Sequence, residues 1–336
     1  MQTPLDTKFI GAVLERWNIS GGAQSVDDLG GAFNLNLRVV TRAADVVIRV
    51  RPPWLTTRRV EQVHALQHDL NRRAIPTPSL RRSRRDRTFE IIDTRLVEVY
   101  DYLIEEGNRH WSAERWAAAF AHLGDLHRVF EQLGTTITPP LVSNFAPPRL
   151  LHHMLSETRA RLADHPPDAD QKEARAICNE AQALMDKIEA QLLHMEGQHL
   201  PRHLVHGDYH LGNLLFDKRD RVAYTLDFDF VAHRNRIYDI AYALRLAMPQ
   251  LTDNPDCQLD SALVRHWLDL YESRALHPLT DGERDYLAYQ LAQVALFFIA
   301  DACRARDPIG QVLRESPYLE LAIFLVQYPT SLFEGC

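Results

Sequence analysis

Residues 203 to 230, HLVHGDYHLGNLLFDKRDRVAYTLDFDF, leave few folds open to this chain. NLLF and RVAYTL are apolar and strand-like, and DKRD between them reads as a turn, so the two arms should close as an antiparallel hairpin. With the turn centred near 219 and 220, Asn213 falls beside Asp227, and Asp208 arrives from the loop before the first strand. Three oxygen-bearing side chains thus converge at one end of a β-ribbon.

That constellation admits more than one chemistry. An amide oxygen and a carboxylate beside a further carboxylate suit a hard cation such as magnesium, which keeps few protein ligands and shares substrate phosphates. Kinases use such a spacing: a catalytic-loop Asp takes the acceptor proton, an Asn five residues later holds a metal, and a later Asp holds the metal that bridges the phosphates. A different class reads the same stretch as a hydrolase, with His206, Asp208, His210 and Asp227 around zinc. That alternative accounts for His210 and leaves Asn213 without a role. A third reading is a nucleotide-binding regulator without activity. Magnesium-dependent ADP release separates the first reading from the other two.

Composition sets the frame. With 336 residues, 46% apolar and 25% charged, the chain can bury a sizeable core. Its longest apolar runs, such as AQVALFFIA at 292 to 300, fall short of the roughly 20 residues of a membrane span, and MQTPLDTKFIGAVLERW carries no export pattern, so a cytoplasmic protein is expected. The four cysteines form no CxxC pair, which argues against a disulfide framework or a structural zinc site. A net charge of -7 argues against nucleic acid as a partner, and no membrane is expected as one. RRSRRDR at 81 to 87 reads as a solvated hairpin loop.

Periodicity divides the chain in two. Helical spacing over 6 to 17 is followed by three short strands within 23 to 50, a helix over 58 to 73 stopped by AIPTP, and a strand pair at 88 to 93 and 95 to 103. After Gly107 helices dominate: 112 to 133, 149 to 163, 170 to 195, 237 to 247, 260 to 274, 283 to 305 and 317 to 327. The expected architecture is α+β: a small antiparallel sheet with one covering helix over residues 1–103, and a larger, mainly helical lobe over 104–336.

HGDYHLGN, LDFDF and RIYDIAYAL together resemble the phosphotransferase enzyme family, which includes aminoglycoside phosphotransferases, choline kinases and type II homoserine kinases on a protein-kinase-like bilobal fold. GGAFN at 30 to 34 is similar to that family's nucleotide loop, VVIRV to its third strand, AIPTP to the segment after its N-lobe helix, DYL to its hinge, and LGDLH to the helix before its insertion. The resemblance covers most of 24 to 247. It implies ATP and Mg2+ as cofactors and a small-molecule hydroxyl as phosphoryl acceptor, an aminoglycoside or amino alcohol among the candidates.

Carried over, Asp208 is the implied base, Asn213 and Asp227 the implied magnesium ligands, and His206 and Asp239 the implied braces of the catalytic loop. Gly30, Gly31 and Asn34 belong to the implied nucleotide turn, and the backbone of Asp101, Tyr102 and Leu103 to the adenine contact. The stretch from 9 to 171 contains no lysine, so Arg49 is the implied phosphate cation, an exchange a guanidinium fork can support. Its partner would come from the N-lobe helix, where Glu61 stands near a position that holds Val63. His210, Asp229 and Asp301 are substrate-contact candidates, the last because Gln293, Phe297 and Asp301 share a helical face.

Overall fold

The computed structural model describes residues 7–31, 33–106, 111–141, 144, 146–196, 200–253 and 259–333. The elements begin with α1 (Thr7–Arg16), β1 (Ser25–Asp28), β2 (Leu35–Val40), β3 (Asp45–Val50), α2 (Thr57–Arg72), β4 (Glu90–Ile92) and β5 (Arg95–Asp101). They continue with α3 (Ala113–Leu133), α4 (Pro148–Ala163), α5 (Ala169–Glu196), β6 (Arg202–Val205), β7 (Leu214–Phe216), β8 (Val222–Thr225) and β9 (Ala232–Asn235). The chain closes with α6 (Ile237–Leu251), α7 (Ser261–Glu272), α8 (Asp281–Ala300) and α9 (Pro308–Gln327).

Two compact units result: Met1–Arg109 with Leu214–Leu226, and His110–Asn213 with Asp227–Cys336. The hairpin of β7 and β8 therefore packs with the first unit, tied there by Thr225 N–H to Pro76 O (2.9 Å) and Glu106 N–H to Phe216 O (3.2 Å). Its register is one residue short of the expected one, with an irregularity between Leu215 and Phe216.

The first unit is an antiparallel sheet in the order β1-β2-β3-β5-β4. Strand alternation sends Leu37, Val39, Val46, Ile48, Val50, Val97 and Val99 to one face, where α1 covers them with Phe9, Ile10, Val13, Leu14 and Trp17. Arg49 and Glu98 are register partners on the other face, where His64 of α2 reaches Glu98. Two helices rather than one thus serve the sheet, because both faces of β3 and β5 are apolar enough or polar enough to need a partner. Thr56 caps α2 by accepting from Arg59 N–H, and the helix stops before AIPTP as its prolines require. The arginines of 81 to 87 are ion-paired rather than massed: Arg81 with Asp101, Arg82 with Asp86 and Arg84 with Glu15.

The second unit is helical apart from β6, which pairs with β9 some thirty residues later. Such a non-local pair of four-residue strands leaves no periodic signal. Gly124 lets α3 approach α7, since a Cβ there would lie 2.3 Å from Tyr271 O. Helix α8 opens with a capping box between Thr280 and Glu283 and is buried nearly all round. Among the described residues one helix, Asp281–Arg304, is long and apolar enough to cross a membrane by length and composition, contrary to the run-length reading, yet 78% of its most apolar 18-residue window is buried as a core helix would be. Helix α9 starts nine residues earlier than expected: Asp307 caps it, Pro308 takes the first turn, and the helix continues through Pro317.

Candidate active site

The loop after β6 holds the candidate residues His206, Asp208 and His210, and its shape is set by what it must approach. Gly207 has φ of 82°, and a Cβ there would lie 2.4 Å from Phe230 O, so only glycine lets this loop touch the turn that follows Asp227. The His206 ring is fully buried, with Phe228 at 4.9 Å and Tyr209 at 5.7 Å between centroids. Those contacts seat the Asp208 and Asp227 loops against one another. Asp227 itself adopts a left-handed backbone, φ 57° and ψ 70°, an unusual state for a non-glycine residue and one that recurs at functional turns.

Asp239, at the start of α6, bonds the backbone of the loop. It accepts from His206 N–H at 2.6 Å and from Gly207 N–H at 2.8 Å. His127 Nε2 lies 3.1 Å from Asp239 Oδ2, and its Nδ1 lies 3.0 Å from the Tyr271 hydroxyl. Burial raises the Asp239 carboxyl above its ordinary value against the pull of His206 and the two N–H groups, and burial first, then Arg236, keeps His127 well below its own. A neutral imidazole fits both contacts: Nε2–H donates to Asp239, and Nδ1 accepts from Tyr271. Arg236, bidentate to Glu283 at 2.7 and 2.8 Å, closes this buried chain.

The Asp208 carboxylate is surrounded by donors. Asn213 Nδ2 donates to Asp208 Oδ2 (3.0 Å) and to its backbone carbonyl (2.9 Å), while Asn144 Nδ2 donates to Oδ1 (2.7 Å). His210 Nε2 stands 3.7 Å from Oδ1. Burial works to raise this carboxyl, but His210 and Tyr242 outweigh it, so Asp208 is held below its ordinary value of 3.8 and is ionised near neutral pH.

The donor set fits a hard cation. The Asn213 nitrogen is spent on Asp208, which leaves its amide oxygen, like the Asp227 carboxylate, an oxygen of the kind magnesium takes. The zinc alternative does not fit. Among the described residues no three His, Cys, Asp or Glu side chains are placed to hold a metal, and the His206 ring is sealed in the core. His210 is half-buried, with its ring centroid 6.5 Å from Trp111 and 6.4 Å from Tyr242.

Asp229 lies in the short turn Phe228–Phe230 after Asp227. Asp301 follows the end of α8 and accepts from Arg304 at 3.2 Å; among the described residues no hydrogen bond or ion pair links it to Asp208. One turn earlier, Phe298 is the α8 side chain that faces this side of α6, stacking on Tyr242 at 6.1 Å. Tyr242 and Asn144 were not anticipated. Tyr242 follows Asp239 by three residues, hence on the same face of α6, which is a usable signal; Asn144 sits in a loop and has none.

In the first unit the glycine turn and Arg49 are linked. Gly30 and Gly31 have φ of 79° and 137°, and a Cβ on Gly31 would lie 2.7 Å from Asn34 O. Asn36 bridges them, donating to Gly30 O at 2.8 Å and accepting from Arg49 Nε at 2.8 Å. Asn34 is turned inward, its Oδ1 3.5 Å from buried Arg51. The Tyr102 N–H is taken by Asp45 O at 3.1 Å, Asp101 accepts from Arg81, and Leu103 follows without a regular element.

The expected Glu61 partner is a correction. Glu61 is exposed and Val63 is buried in the core. A fully buried carboxylate of this unit is Glu98 on β5, which no sequence argument singled out. It holds Arg51 Nε at 2.8 Å, His64 Nε2 at 3.1 Å and the Tyr100 hydroxyl at 2.9 Å. Burial alone would raise Glu98; Arg51, then His64, overturn that and bring it down to about 2.

An α+β chain with this loop, this braced aspartate and this ribbon is of the kinase-like class. A model of the phosphotransferase enzyme family matches residues 27–277, well over half of the chain, and the protein belongs to that family. The homoserine kinase of Methylobacillus flagellatus is 39% identical over 84 residues, 25% of this chain and 24% of that protein. That of Neisseria meningitidis is 30% identical over 131 residues, 39% of this chain and 37% of that protein. The chain thus matches about a quarter and somewhat over a third of the length of these curated relatives. Among solved structures, a microcompartment-associated aminopropanol kinase superposes with a TM-score of 0.72 at 16% identity, covering 98% of this chain and 99% of that one. An amicoumacin kinase in complex with AMP-PNP and Ca2+ gives 0.67 at 16% identity, covering 97% and 94%. At such identities these two show the fold alone.

Proposed function

We propose that the chain is an ATP- and magnesium-dependent kinase that moves the γ-phosphoryl group to a hydroxyl of a small molecule. The observation that supports this reading is the pairing of Asp208 with Asn213, which holds the carboxylate in place and leaves the amide oxygen of Asn213 available to a cation. Asp208 orients the acceptor hydroxyl and takes its proton as the new P–O bond forms and the bond to the β-phosphate bridge breaks, releasing ADP. Asn213 and Asp227 would hold magnesium, which when bound supplies charge neutralisation at the phosphates. Gly30, Gly31 and Arg49 are the first unit's candidates for nucleotide contact, supported by the Asn36 bridge between them.

The acceptor belongs to the alcohols used by the fold relatives, an amino alcohol or an aminoglycoside, with homoserine a third class from the partial sequence relatives. The test is ADP release across such a panel with the wild type and Asp208→Asn. The substitution should cut turnover by at least about a thousandfold while ATP binding persists, as expected when the base is lost. Unchanged turnover would remove Asp208 from the reaction.

A further inference from the structure

Asn144 is a second amide side chain that reaches the Asp208 carboxylate. A carboxylate can only accept, so the amide nitrogen, not the oxygen, must face Asp208 Oδ1, and it does so at 2.7 Å. The same nitrogen donates to the Tyr242 hydroxyl at 3.2 Å. Both Asn144 N–H groups are therefore spent. Its oxygen points the other way and makes no hydrogen bond among the described residues. The placement is built rather than casual: two residues on, Ala146 O accepts from buried Gln293 of α8 at 2.9 Å, and Gln293 is itself held by Gln290 at 2.8 Å.

Resting on the kinase reading above, we infer that Asn144 is a specificity residue, whose amide oxygen binds a hydrogen-bond donor carried one or two carbons from the hydroxyl that is phosphorylated. The amide oxygen lies within about 5 Å of Asp208 Oδ1, since amide oxygen and nitrogen are only about 2.3 Å apart. One small molecule can span that distance with two groups on adjacent or next-adjacent carbons. The hydroxyl meets Asp208; the neighbouring amine or second hydroxyl meets Asn144. The acceptors selected are therefore 1,2- and 1,3-amino alcohols and diols, and their analogues without the second donor are disfavoured.

The experiment compares matched acceptor pairs, such as 1-amino-2-propanol against 2-butanol and a 1,2-diol against its mono-O-methyl ether, in the wild type and in Asn144→Ala. The wild type should prefer the donor-bearing member by about tenfold or more in kcat/KM, the range of one hydrogen bond to a polar or charged group. Asn144→Ala should bring each pair to within about twofold through KM for the acceptor, with KM for ATP and the melting temperature unchanged. Asn144→Asp, which sets a carboxylate against Asp208, should lose turnover on both members. A preference that survives in Asn144→Ala, or an equal fall on both members, overturns the assignment. Any acceptor phosphorylated by the wild type establishes the kinase reading by itself, so that result would remove Asn144 alone.

Discussion

Asp239 takes the backbone N–H of His206 at 2.6 Å and of Gly207 at 2.8 Å, so one buried carboxylate on α6 fixes two consecutive peptides of the loop that presents Asp208. Replacing Asp239 by Asn would put an N–H₂ group against one of those donors. Each unpaired buried donor costs about 1–3 kcal/mol. Asp239→Asn should lower stability by that order and reduce kcat more than KM, which denaturant titration and steady-state kinetics would measure. Full activity would mean that the loop keeps its shape without this brace.

Asp227→Asn exchanges the charge of the proposed metal ligand for a neutral amide. The magnesium concentration for half-maximal turnover should rise by at least about tenfold, a loss typical of one ligand's charge. A metal titration at saturating ATP reads it directly, and an unshifted curve would take Asp227 out of the metal site.

Glu98 and Glu61 make opposite predictions in neighbouring elements. Glu98→Ala strands Arg51 in the interior and should cost about 3–5 kcal/mol. Exposed Glu61→Ala should change stability by less than about 0.5 kcal/mol. Chemical denaturation of both variants separates them, and similar values would contradict the assignment of the buried carboxylate.

Acid should unfold the protein in two overlapping windows. Burial, then His127, brings His203 down to about 4 from an ordinary 6.5, so its contribution is present above 6.5 and fades as pH falls toward 4. Glu98, down at about 2 from 4.5, contributes above 4.5 and loses that as pH falls toward 2. The unfolding free energy should therefore decline from about pH 6 downward, and Glu98→Gln should flatten the lower part of the curve. A profile flat to pH 3 would be inconsistent with both groups.

Much of this architecture is legible because its signals are local. The stripes of α2 and α3, the stop at AIPTP and the ribbon of β7 and β8 rest on spacing and turn chemistry, and so does the approach of Asn213 to Asp208, five residues apart. What escapes has non-local causes. Glu98 stands in an apolar strand, and nothing in its neighbours says that Arg51 and His64 will converge on it. Asn144 acquires meaning only when Gln293, far along the chain, holds Ala146. Asp301 shares the expected helical face with Gln293, yet it falls where α8 ends and bonds Arg304, leaving Phe298 toward Tyr242. Helix α9 begins nine residues before the expected start, with Pro308 in its first turn and Pro317 inside it.

The return of Leu214–Leu226 to the first unit bears on how the protein is made. A ribosome releases β1 to β5 long before β7 and β8 exist, so the nascent first unit must wait, with Pro76 O and Glu106 N–H unmet by Thr225 and Phe216, while more than a hundred residues are added. A gene truncated after residue 109 would yield an unfinished body rather than a separable module, and synonymous codons that slow translation before residue 226 would lengthen the interval in which it is exposed to proteases.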